Sequence, residues 1–100
     1  MTEVATAPAD PKVVFVFDVL DKAGVRMTDF ARVTRITRET LYRWKNGGNI
    51  TDELRRDIAY TYALRLEKAV AAGRLPFTDT LKKEQRVVTL RKIIADMASK

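Results

Sequence analysis

The chain lacks the two side chains that most often carry chemistry, since its 100 residues include no Cys and no His. Without Cys there is no disulfide and no thiolate metal site. Without His, the commonest general base and the commonest metal ligand are missing, so we expect a non-enzymatic protein with no metal, cofactor or small-molecule ligand. No apolar run approaches the roughly 20 residues of a membrane span, and residues 1–12 lack the pattern of a secretory signal. These absences predict a cytoplasmic protein with no membrane partner.

Glycine and proline are few, with four Gly and three Pro, and each marks a boundary. Pro8 and Pro11 fall in a small, polar segment that cannot bury surface, which predicts a disordered tail over residues 1–12. Gly24, the pair at 47–48 and Gly73 each follow an apolar pattern of helical spacing, as helix C-caps do.

Apolar spacing predicts an all-α domain of about five helices over residues 12–24, 25–35, 36–46, 50–73 and 81–100. The first segment also fits a buried strand, but no second strand candidate exists to pair with it. Residues suited to N-caps are Thr28 and Thr37 for the second and third helices, and Asn49 or Thr51 for the fourth. In the fourth helix the predicted buried stripe is Leu54, Ile58, Tyr62, Leu66 and Ala69.

The net charge of +6 is unevenly spread along the chain. Residues 26–45 carry six cations against two anions, and residues 74–100 carry seven against three. Such basic segments attract polyanions, nucleic acid first among them. On charge alone, a solvated surface that keeps the protein in solution is an equally good interpretation.

Residues 27–47 fit two short helices that cross at a tight turn. Such a pair needs a small residue at the crossing, for which Ala31 is suitable, and a branched apolar residue that fills the turn, for which Ile36 is suitable. The second helix must bury two residues about one turn apart, and Leu41 and Trp44 have this spacing. The arrangement is the helix-turn-helix, whose second helix lies in the DNA major groove.

The polar side chains of residues 37–46 include types that read base edges, because Arg pairs with guanine, Asn with adenine, and Glu accepts from the cytosine amine. Candidate base contacts are Thr37, Arg38, Glu39, Tyr42, Arg43 and Asn46. Candidate phosphate contacts, which position a protein without reading sequence, are Thr28, Arg32, Arg35 and Lys45. Each residue taken singly is explained as well by an ordinary solvated surface, so the prediction depends on all these features occurring together.

The segment resembles the helix-turn-helix of phage repressor and Cro-like regulators over about residues 13–50. Ala31, Ile36, Leu41 and Trp44 fall where that family keeps its small and apolar framework residues. The family commonly places Gly in the turn, in a left-handed conformation, and the corresponding residue here is Arg35. The resemblance implies a helix-turn-helix DNA-binding region at 13–50.

Residues 51–100 exceed what a minimal helix-turn-helix needs and predict a C-terminal helical pair for core completion and oligomerisation. In the last helix, Val87, Leu90, Ile94 and Met97 repeat at the intervals of a heptad seam. This seam can pack against its own chain or meet a second copy. Because regulators of this type bind two half-sites as dimers, we expect a homodimer formed through the seam.

Most of these features are explained if the protein is a sequence-specific regulator of transcription, a repressor, that binds double-stranded DNA through residues 37–46. One alternative is a DNA-recognition subunit similar to phage small terminases, which join a helix-turn-helix to a helical oligomerisation hairpin and form rings. Another is a helical adaptor that binds protein and has no role on DNA. The adaptor alone would keep its activity when Arg38 and Arg43 are both replaced by Ala.

Overall fold

A computed structural model describes residues 10–77 and 81–98, which form five α-helices and no strand. The helices are α1 (Pro11–Ala23), α2 (Met27–Thr34), α3 (Arg38–Lys45), α4 (Glu53–Ala71) and α5 (Lys83–Ala98). The predicted all-α fold is confirmed, and the segment that also fitted a strand is helical. None of the described helices combines the length and apolar character that crossing a membrane requires.

The first helix begins earlier than the sequence predicted. The Asp10 side chain accepts a hydrogen bond of 2.8 Å from the backbone N–H of Lys12 and so caps α1. Pro11 is tolerated at the first helical position because the backbone N–H that proline lacks would have no partner within the helix. The predicted disordered tail of residues 1–12 is therefore wrong for residues 10–12, and residues 1–9 lie outside the described part of the chain.

The core is built on α1 and α4, which run side by side in the same direction and form the most extensive helix pair. Ion pairs of 3.0 Å join Asp10 to Arg56 and Lys12 to Asp57 at their amino ends. The bond from the Lys12 ammonium lowers the pKa of Asp57 below its ordinary value. Burial acts to raise the pKa of Asp10, but hydrogen bonds from the Lys12 N–H and the Arg56 guanidinium lower it further than burial raises it.

The buried face of α4 differs from the predicted stripe. Its buried residues are Ala59, Ala63, Leu66 and Ala69. Leu54, which the stripe included, is 71% exposed, and Ile58 and Tyr62 are half-buried. Small side chains line this face because α1 and α5 both pack against α4, whereas the sequence pattern favoured the larger residues. The N-cap of α4 is Asp52, whose side chain accepts a hydrogen bond from the Arg55 N–H at 3.0 Å. The predicted caps, Asn49 and Thr51, do not have this role.

The fifth helix packs against α4 and α2 of its own chain. Its buried residues are Val87, Leu90, Ile93, Ile94 and Met97. Near its amino end, Arg86 Nε donates to Asp29 Oδ2 of α2 at 3.0 Å. Near its carboxyl end, Asp96 pairs at 3.0 Å with Arg74, which lies just after α4. The end of α5 therefore lies beside the end of α4, and the two helices do not form a separate hairpin.

This packing corrects the predicted oligomerisation site. Val87, Leu90, Ile94 and Met97 are each less than 7% exposed in the single chain, because α2 and α4 already cover them. The seam thus completes the core of its own chain, which was one of the two alternatives left open by its spacing. The four residues are not available to a second copy.

Candidate nucleic-acid interface

The turn between α2 and α3 is held by a buried hydroxyl and a left-handed residue. Thr34 Oγ1 donates to the Phe30 carbonyl at 2.8 Å and accepts from the Ile36 N–H at 3.3 Å. Arg35 has φ 62°, so the left-handed position predicted for it is confirmed. Ile36 is buried beneath the turn. These contacts fix the angle at which α3 leaves α2.

The other residues that the sequence predicts to be in the interior of this helix pair are buried. Ala31 is buried on α2, and Leu41 and Trp44 are buried on α3. Because Leu41 and Trp44 hold one side of α3 in the core, the opposite side of the helix faces outward. The sequence therefore predicted correctly which face of α3 is exposed.

Both ends of α3 are closed by local hydrogen bonds. At the amino end, Thr37 Oγ1 accepts from the Thr40 N–H at 3.2 Å, which confirms Thr37 as the N-cap. At the carboxyl end, the Gly47 N–H donates to the Trp44 carbonyl at 3.1 Å and the Gly48 N–H to the Arg43 carbonyl at 2.8 Å, a Schellman motif. A Cβ at position 48 would lie 2.9 Å from the Arg43 carbonyl oxygen and 2.5 Å from Arg43 Cγ, so a side chain there would force the backbone of this turn to shift.

All six candidate base contacts are exposed: Thr37, Arg38, Glu39, Tyr42, Arg43 and Asn46. Tyr42 is 49% exposed although its ring is large and mostly apolar. The Thr37 hydroxyl donates to Thr40 Oγ1 at 2.9 Å in addition to its capping bond. Thr37 therefore offers chiefly its methyl group to a ligand, while the other five side chains form no hydrogen bond or ion pair with the described residues.

The candidate phosphate contacts fall into two places. Arg32 and Arg35 are exposed, and Thr28 is half-buried; all three line a cleft of about 460 Å³ beside the turn. Thr28 lies inside α2, and the predicted N-cap role belongs instead to Arg26, which makes no side-chain capping bond. Lys45, also exposed, lies at the other end of α3.

Lys45 borders a second cleft, of about 600 Å³, between α1 and α3. The same cleft is lined by Asp18 and Asp21 of α1 and by Tyr42. These two carboxylates reduce the positive potential near Lys45. The candidate phosphate contacts thus differ in their surroundings: the cleft beside the turn is more strongly cationic than the cleft next to Lys45.

Sequence reasoning missed one cation that belongs to the turn cleft. Lys83, the first residue of α5, lines the cleft with Arg32, Arg35 and Arg38. No local signal could have placed it there, because α5 follows α2 by about fifty residues and its position depends on the tertiary fold.

None of the cations near the turn has a carboxylate partner among the described residues. In α1, α4 and α5, several cations are paired with carboxylates: Lys12, Arg55, Arg56 and Arg86. Within residues 26–48, no cation forms an ion pair with any described residue. Of the two anions in that segment, Asp29 is buried and paired with Arg86, which leaves Glu39 as the one exposed carboxylate. The face of α3 and the turn therefore carry uncompensated positive charge.

The described residues contain no group of three or more carboxylate, His or Cys side chains that could hold a metal ion. The arrangement offers instead exposed donors of hydrogen bonds on a short, rigidly held helix. Comparison with protein-family models, with curated proteins and with solved structures gives no match to this chain.

Proposed function

We propose that the protein is a non-enzymatic, sequence-specific double-stranded DNA-binding protein that inserts α3 into the major groove. The observation that carries this proposal is the face of α3 and its turn. This surface exposes Arg32, Arg35, Arg38, Arg43 and Lys45, none of which pairs with a carboxylate of the described residues, and α3 itself is fixed from behind by the core. A cluster of like charges is best compensated by an anion from outside the protein.

The dimensions of α3 suit this role. An α-helix with its side chains is about 10–12 Å in diameter, and the major groove of B-DNA, about 12 Å wide, admits it. Arg38 and Arg43 are the proposed guanine contacts, Asn46 the adenine contact and Glu39 the acceptor for a cytosine amine. Tyr42 supplies an apolar ring with a hydroxyl at its tip.

We further propose that binding at a promoter represses transcription in the cytosol of a bacterial host. Binding as a dimer on two half-sites remains part of this proposal, but its interface must lie outside the α5 seam. The exposed apolar side chains of the described residues, Val14, Leu54, Leu64 and Val88, are distributed over three helices. Solution mass by light scattering, with and without a DNA duplex, measures the stoichiometry.

The two alternatives receive less support. A packaging subunit similar to small terminases would use a separate C-terminal hairpin, whereas α5 here packs against both α2 and α4 and pairs with the segment after α4. The hypothesis of a protein-binding adaptor does not explain the uncompensated positive charge of the turn. No specific observation favours either one over DNA binding.

Selection from a pool of randomised duplexes tests the proposal. The full chain is immobilised, and DNA is retained at moderate salt through several rounds. We expect convergence on a short sequence with guanines at the positions assigned to Arg38 and Arg43. Failure to retain any duplex, even at low salt, would contradict DNA binding altogether. Retention without convergence would contradict sequence-specific recognition.

A further inference from the structure

We infer that Lys83, at the start of α5, binds a backbone phosphate of DNA together with the arginines of the α2–α3 turn. This inference rests on the proposed DNA-binding function and extends it to a helix outside the helix-turn-helix. The C-terminal helix would then contribute directly to the DNA interface in addition to completing the core.

The geometry of the turn cleft is the first support. Arg32 and Arg35 of the α2 end, Arg38 of α3 and Lys83 of α5 line one cleft of about 460 Å³, and Thr28 adds a hydroxyl. Its floor is apolar, formed by Ala31 and Ile36. No carboxylate of the described residues lines the cleft. Four cations from three helices therefore converge there, with no anion from the described part of the chain between them.

The second support is the way in which the start of α5 is held. Arg86, one turn beyond Lys83, donates from Nε to Asp29 Oδ2 at 3.0 Å and from Nη1 to the Leu81 carbonyl at 3.2 Å. Asp29 is 1% exposed, so this bond anchors α5 to the core face of α2. Arg86, whose charge is compensated by Asp29, thereby positions Lys83 at the cleft.

A side-chain bond further orders the first turn of α5. The Lys82 N–H donates to Gln85 Oε1 at 3.0 Å, which is one of the two bonds of a capping box. Its backbone is therefore fixed, while the ammonium group of Lys83 remains on a flexible, exposed stem. Such a side chain can follow a phosphate that the more rigid guanidinium groups of the turn have positioned.

The chemistry of the cleft favours a phosphodiester as its ligand. Guanidinium and ammonium groups form charge-assisted hydrogen bonds with phosphate oxygens. The cleft shares Arg38 and Thr37 with the exposed face of α3, so a duplex that receives α3 in its groove brings its backbone to the cleft. A DNA phosphate, held in place by the rest of the duplex, is therefore the proposed occupant.

The test compares two lysine variants of the full chain, Lys83→Gln and Lys92→Gln. Both residues are exposed on α5 and neither forms an ion pair with the described residues, so the two variants lose equal net charge from the same helix. Affinity for a duplex of about 20 base pairs is measured by fluorescence anisotropy over a range of salt concentrations. Circular dichroism melts confirm that both variants fold.

We expect Lys83→Gln to reduce the slope of log affinity against log salt by about 0.9, the value for one phosphate contact, and to weaken binding about eightfold near 0.1 M salt. Lys92→Gln should leave the slope unchanged. If wild-type protein binds and the two variants behave alike, the inference is wrong while the proposed function stands. If wild-type protein does not bind any duplex, both are wrong.

Discussion

Replacing Arg35 by Gly should stabilise the protein and weaken its binding to DNA at the same time. Arg35 has φ 62°, in the left-handed region, and its exposed side chain forms no hydrogen bond with the described residues. A glycine would therefore relieve backbone strain without removing any contact that stabilises the fold. It would also remove one cation from the turn cleft.

The two effects have calculable sizes. A non-Gly residue in the left-handed region costs about 1–2 kcal/mol, and the greater entropy of glycine in the unfolded chain offsets about 0.4–1 kcal/mol of that gain. The free energy of unfolding should rise by about 0.5–1 kcal/mol, which raises the melting temperature by about 3–6 °C for a domain of this size. Loss of one phosphate contact should reduce the salt slope of DNA binding by about 0.9.

Arg35→Ala separates the two effects, because alanine keeps the strain and loses the charge. Thermal melts should place Arg35→Ala within about 0.5 kcal/mol of wild type, as is usual for an exposed position, and Arg35→Gly above both. Anisotropy titrations should show the same weakened DNA binding for the two variants. An unchanged or lower melting temperature for Arg35→Gly would refute the strain argument. Wild-type affinity in both variants would refute the phosphate contact.

Three further predictions concern stability. Thr34→Val should cost about 1–3 kcal/mol in urea unfolding, because it leaves the N–H of Ile36 without its bond, whereas Thr34→Ser should retain most of the stability. Leu66→Ala should cost about 2–5 kcal/mol at this fully buried site, and Leu54→Ala, at an exposed site, less than about 0.5 kcal/mol; equal losses would contradict the assigned register of α4. Asp57→Asn should destabilise the protein at neutral pH, since the folded pKa of this carboxyl is lowered from its ordinary value of 3.8. The stability contributed by the Asp57 carboxylate is present above pH 3.8 and is lost as pH falls through the folded pKa. The melting temperatures of wild type and variant should therefore converge at acidic pH, and a difference that stays constant with pH would contradict the ion pair.

Local features of α2, α3 and the turn between them were predictable because each depends on a few neighbouring residues. Ile36 and Leu41 were recognisable as buried from their spacing, Thr37 as a cap from its type and place, and Arg35 as the left-handed residue from its position in the turn. The hydrogen bonds of Thr34 were not predicted, since a buried threonine looks the same in sequence whether or not its hydroxyl is used.

Features that depend on distant segments could not be predicted. The pair between Asp29 and Arg86 joins residues 57 positions apart, and no periodicity reports such a contact. The register of α4 was missed for a related reason, because a helix between two neighbours buries small residues such as Ala63 that a hydrophobicity pattern ranks below leucine. The seam of α5 was recognised, but its partner was decided by the rest of the fold.

The affinity of the double variant Arg38→Ala with Arg43→Ala for a selected duplex tests DNA recognition by α3 most directly. Lys68→Ala with Lys92→Ala is the matched control, since it removes from α4 and α5 two exposed cations that form no ion pair with the described residues. Each lost bidentate contact should cost about 1–3 kcal/mol of binding free energy, so the α3 variant should bind at least about 30-fold more weakly than wild type. The control should change the affinity by less than about threefold near 0.15 M salt, because charges farther than about 8 Å from the DNA are screened there. Equal affinities of the two double variants would contradict recognition through α3.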